Sequence, residues 1–81
     1  MTLDRAQCRA ARALLDWSQE ELAHRARLTK KTIADFERGA TAPYARTLGK
    51  IVDAFELAGI ELLNGGAPGV RLTTSRHPAS K

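Results

Sequence analysis

Trp17-Ser18-Gln19-Glu20-Glu21-Leu22-Ala23-His24-Arg25-Ala26, then Arg27-Leu28-Thr29, then Lys30-Lys31-Thr32-Ile33-Ala34-Asp35-Phe36-Glu37-Arg38-Gly39 is the stretch that decides the fold. Ser18 and Glu21 fit a capping box, in which each side chain satisfies an orphan N–H at a helix start. Trp17 before the cap and Leu22 four positions after it fit a hydrophobic staple. A helix from about Gln19 to Ala26 is expected. Three residues later Thr29 serves as the next N-cap, Ile33 and Phe36 form a buried side, and Gly39 supplies a left-handed stop. Two short helices joined by so tight a turn make a helix-turn-helix.

Upstream, Asp4 is a plausible N-cap, and Cys8, Ala11 and Leu15 recur at helical spacing, predicting a helix over Arg5 to Leu15. Downstream, residues 40–44 form a loop closed by Pro43. Leu48, Ile51, Val52 and Phe55 then predict a fourth helix from about Ala45 to Ala58, stopped by Gly59. Ile60 to Leu63 and Val70 to Thr73 flank a turn-rich run, which reads as a β-hairpin or two short strands around a loop. The expected architecture is mainly α: residues 1–58 as the four-helix unit, 59–74 as a C-terminal β segment, and 75–81 as a flexible tail.

Composition narrows the function. Eighty-one residues, 43% hydrophobic and 27% charged, fit one small globular domain rather than a low-complexity or disordered chain. The longest apolar runs are too short for a membrane span, and Met1 to Arg5 carries no signal-like apolar stretch, so a cytoplasmic chain is expected. Cys8 stands alone, and His24 and His77 are isolated, so neither a disulfide framework nor a metal cluster is expected. Cys8 reads as a small core residue and His24 as exposed. No nucleophile–base pair or phosphate-cradling loop is visible, and neither a cofactor nor an enzyme activity is expected. The net charge is +4, and residues 25–50 alone hold seven basic residues against Asp35 and Glu37. A polyanion partner follows, nucleic acid or anionic lipid.

The ordered set Ser18-Gln19-Glu20-Glu21-Leu22-Ala23, Thr32-Ile33, Phe36-Glu37-Arg38-Gly39, Pro43 and Leu48-Gly49-Lys50-Ile51 resembles the lambda-repressor/Cro (XRE) family of DNA-binding domains. The resemblance covers roughly residues 5–58. It implies that the second helix of the motif, about Lys30 to Glu37, enters the DNA major groove while the first braces it. Opposite Ile33 and Phe36, the face would carry Lys31, Ala34, Asp35 and Arg38, with Lys30 at its leading end; Lys30, Lys31 and Asp35 would read bases, and Ala34 could touch a thymine methyl. Lysines in a first helical turn oppose the macrodipole, and a local rule broken without local gain points to function.

Phosphate contacts are expected from Ser18, Gln19, Arg27, Thr29, Thr32, Arg38 and Arg46; that of Gln19 is implied by the family. The family also implies a partly buried Arg12–Glu37 ion pair joining the first helix to the end of the third. Three departures stand out: Arg27 where a left-handed glycine is usual, Lys30-Lys31 in place of the usual polar pair, and strands where a fifth helix is usual. Ile60, Leu62, Val70 and Leu72 are expected at a homodimer interface, with an intramolecular hairpin over the fourth helix as the alternative.

The leading expectation is a repressor that binds a pseudo-palindromic operator in double-stranded DNA as a homodimer. One alternative is an antitoxin, or a controller of a restriction system or mobile element, that also binds a partner protein such as a toxin. Another is a protein-interaction module on the same scaffold.

Overall fold

The computed structural model describes residues 3–73; Thr74 and the expected tail over 75–81, with His77, lie outside the described residues. In chain order the elements are α1 (Arg5–Leu15), α2 (Gln19–Ala26), α3 (Lys30–Glu37), α4 (Ala45–Leu57), β1 (Ile60–Leu63) and β2 (Gly69–Leu72). The helices fall where their caps place them, with α4 ending one residue earlier than expected.

The caps themselves differ in detail from the sequence reading. Ser18 accepts from the Glu21 N–H at 3.0 Å, but the Glu21 carboxylate pairs with Arg25 instead of returning to the cap. The reciprocal capping box forms at α1, where Asp4 accepts from Gln7 N–H and the Gln7 side chain accepts from Asp4 N–H. Long Glu and Arg side chains four apart on a helix attract each other, so Glu21 had a competing partner.

The first three helices stop in the same way. After α1, α2 and α3 the chain swings into the left-handed region at Asp16 (φ 58°), Arg27 (φ 59°) and Gly39 (φ 79°). Each turn is closed by a pair of backbone bonds, such as Leu28 N–H to Ala23 carbonyl at 2.8 Å and Ala40 N–H to Asp35 carbonyl at 2.9 Å. These are Schellman motifs, which favour glycine because a Cβ crowds the following carbonyl there. Gly39 meets that requirement; Arg27 adopts the same conformation with a side chain, at a cost of about 1 kcal/mol.

The core joins Leu3, Cys8, Ala11, Leu22, Ala26, Ile33, Phe36, Ile51, Val52, Phe55 and Ile60, all buried. Trp17 stacks on Phe55 with ring centroids 6.0 Å apart, and the Arg25 guanidinium lies 4.7 Å over the indole.

The strands pair antiparallel, with Ile60 opposite Leu72 and Leu62 opposite Val70. A two-stranded hairpin needs a surface to pack on. Here β2 lies on α1 and β1 on α4. The four residues expected at a dimer interface occupy the hairpin's inner face: Ile60 is 3% exposed, while Leu62, Val70 and Leu72 pack against the chain's own core. Within its own chain the hairpin thus covers α1 as well as α4. The outer face carries Glu61 and Arg71, which pair across the strands.

Buried Gln7 fastens the hairpin. Its amide Nε2 donates to the carbonyls of Gly69 (3.0 Å) and Leu63 (3.2 Å) and to Asn64 Oδ1 (3.2 Å). Gln7→Ala is expected to cost about 2 kcal/mol in denaturant unfolding, because buried acceptors lose their donor. Amide exchange should accelerate in β1 and β2 well before α2 and α3. Arg27→Gly should raise stability by about 0.5–1 kcal/mol, as the left-handed strain is relieved against a looser unfolded chain. A lowered denaturation midpoint would contradict that assignment of strain.

Candidate nucleic-acid interface

α3 meets the core through Ile33 and Phe36, so helical periodicity turns Lys31 to solvent, and Lys30 is exposed as the helix's first residue. Thr29 caps it by accepting from Thr32 N–H at 3.2 Å, and the two threonine hydroxyls lie 3.0 Å apart. One hydroxyl hydrogen of that pair remains for an external acceptor. Ser18, capping α2 from its own exposed position, likewise keeps its hydroxyl hydrogen for donation.

Asp35 organises the cationic part of this face. Its Oδ2 accepts from Lys31 Nζ at 3.1 Å and its Oδ1 from Arg38 Nη2 at 2.8 Å. These two bonds, Lys31's first, hold the carboxyl below its ordinary value. The Lys31 side chain is 82% exposed and that of Asp35 only 16%, so the cation is presented outward on a seated anion. With one bond on each oxygen, the Asp35 carboxylate keeps acceptor capacity for a further donor. Half-buried Ala34 adjoins the same surface, whereas Lys30, Arg27 and Arg46 are exposed and form no ion pair among the described residues.

The far end of α3 is held by Glu37, 4% exposed. Its carboxylate accepts from Arg12 Nε at 2.8 Å and Nη2 at 2.7 Å, from Gln19 Nε2 at 3.1 Å and from Cys8 Sγ at 3.0 Å. Its backbone carbonyl accepts from Arg9 Nη1 at 2.6 Å, and Arg12 Nη1 reaches the Trp17 carbonyl at 3.0 Å. The Arg12–Glu37 pair is thus present, and it is bidentate, but Cys8, Arg9 and Gln19 also belong to it. A glutamate in the last turn of a helix opposes the dipole, and the cationic company of Glu37 offsets this.

Burial alone would push the Glu37 carboxyl up. The bonds from Arg12, Cys8 and Gln19 outweigh that and hold it below its ordinary value of 4.5. Burial, followed by the bond to Glu37, pushes the Cys8 thiol well above its ordinary range. Gln19 is therefore both anchored and presented: one amide hydrogen is committed to Glu37, leaving the other at the α2 N-terminus.

Two short helices, a tight left-handed turn and an exposed cationic helix start define a helix-turn-helix DNA-binding domain. A helix-turn-helix family model (HTH_3) matches residues 9–62, spanning α2, α3 and α4 and most of α1. The chain belongs to this lambda-repressor/Cro-like (XRE) family and is a DNA-binding transcription regulator; the family is regulatory rather than enzymatic. No curated protein matches the chain significantly. Among the described residues, no helix is long and apolar enough to cross a membrane.

Because the folded Glu37 pKa lies below the unfolded one, its contribution to stability is present above about pH 4.5 and is lost as pH falls through the folded value. Glu37→Gln should lower stability at neutral pH by about 2–3 kcal/mol, since Arg12 loses a buried counter-charge while remaining partly hydrated. It should also flatten the acid limb of a stability-versus-pH curve measured by urea denaturation. An unchanged acid limb would place the acid sensitivity elsewhere.

Proposed function

We propose that the chain is a sequence-specific repressor that binds a pseudo-palindromic operator in double-stranded DNA as a homodimer. One observation carries this reading: the solvent-facing start of α3, with Lys30 and Lys31 projecting from a helix whose other end is locked by Glu37. A rigid helix with cationic tips suits the major groove, where lysine donates to guanine O6 and N7. In this reading Lys30, Lys31, Ala34 and Asp35 face bases, and Asp35 accepts from a cytosine amine while Lys31 and Arg38 stay paired to it.

Ser18, Gln19, Arg27, Thr29, Thr32, Arg38 and Arg46 set the register on the backbone. Two copies would address half-sites about 34 Å apart. Repression then follows from occupancy, an operator overlapping a promoter being closed to polymerase. The protein would act at the nucleoid.

Selection of bound duplexes from a random pool should yield a two-fold symmetric consensus. Lys31→Ala should weaken binding to that consensus by about 1–3 kcal/mol and relax one base position. Arg38→Ala should weaken all duplexes alike and reduce the salt slope by about one. Retention of full base preference by Lys31→Ala would refute the assigned reading face.

A further inference from the structure

A two-fold binder needs a self-complementary surface, and the inner face of the hairpin is already occupied by the chain's own core. The outer side of α4 has the required features. A groove of about 360 Å³ runs along it, lined by Ala45, Leu48, Gly49, Val52, Asp53 and Glu56. Gly49 sits at mid-helix, where glycine is disfavoured relative to alanine. A Cβ there would meet nothing within 4 Å, so the chain's own packing gives no reason for its absence. A second backbone approaching closely would supply one.

The charges of α4 also run against its dipole. Arg46 and Lys50 lie in the first half and Asp53 and Glu56 in the second, the reverse of what the helix field favours. None of the four forms an ion pair among the described residues. An antiparallel copy of the same helix corrects the mismatch, because it sets each basic half against an acidic one.

We infer that α4 is the interface between two copies of this chain, packed antiparallel and crossing at Gly49, with Arg46 of each copy facing Asp53 of the other. Arg46 and Asp53 are two helical turns apart on one side of α4 and equidistant from the Gly49–Lys50 peptide. A two-fold axis at that peptide therefore brings each opposite the other, as an isologous contact requires. Leu48 and Val52 close the opposite flank of the groove. The five donors of the Arg46 guanidinium suffice for both a partner carboxylate and a phosphate. One helix about 20 Å long makes a smaller contact than a standard interface, so the free dimer is weak and consolidates on the operator.

This assignment rests on the two-fold reading above, but its test needs no DNA. Sedimentation equilibrium of the full chain from micromolar to millimolar concentration should show a reversible monomer–dimer equilibrium. Gly49→Gln has room in the monomer; it should raise the thermal midpoint yet weaken self-association at least about tenfold. R46D and D53R should each be monomeric alone, and an equimolar mixture should recover a dimer, because both Arg–Asp contacts return, one as in the wild type and the other with its signs exchanged. A wild-type chain monomeric throughout, a Gly49→Gln chain that associates normally, or a mixture that stays monomeric would each overturn the assignment. Any of these leaves DNA recognition standing, whereas an intact dimer that binds no duplex would overturn the operator reading instead.

Discussion

A single enclosed carboxylate organises this molecule. Glu37 lies at the end of α3, yet its oxygens are bonded from α1 by Arg12 and Cys8 and from α2 by Gln19. Taking a charge out of water is costly, and only good geometry with every lone pair engaged offsets the cost. That demand fixes three helices relative to one another within hydrogen-bond tolerance. The hydrophobic core holds the same helices together, but apolar contacts are not directional and would tolerate small slides. The orientation of α3, and with it the aim of Lys30 and Lys31, is set by the polar hub.

In the proposed reading the hub also ties support to function. Gln19 starts α2, the helix that braces α3, and the same amide that reaches Glu37 stands at an N-terminus rich in exposed N–H groups. Helix starts of this kind attract anions. An anion settling there would meet a side chain whose orientation is already fixed, so little rotamer entropy remains to be lost. The Asp35 pairings have a parallel effect on the other side: Lys31 and Arg38 are held in place before any partner arrives.

Much of the helical part was legible from local signals. Ser18, Thr29 and Asp4 announced helix starts, Gly39 a stop, and the spacing of Leu48, Ile51 and Phe55 a buried face, because caps and periodicity act over one or two turns. The family resemblance added the Arg12–Glu37 pair and flagged Arg27 as an irregular turn residue, and the backbone at Arg27 is left-handed as a glycine there would be. What escaped were contacts spanning many residues. Gln7 reads as an ordinary polar position in α1, and only the folded chain brings the Leu63 and Gly69 carbonyls to its amide. The hairpin's alternation announced an apolar face without saying whose surface it would cover. Three-dimensional proximity, not residue type, decided that it lay on its own chain.

Cys8 gives the molecule an internal clock. Its sulfur has no solvent access and its thiol is held protonated, so both the route and the reactive thiolate are missing in the native state. A thiol reagent reacts only during the moments when α1 lifts away from α3. The rate at which this one sulfur is consumed therefore counts the breathing of the α1–α3 seam directly, without an introduced label.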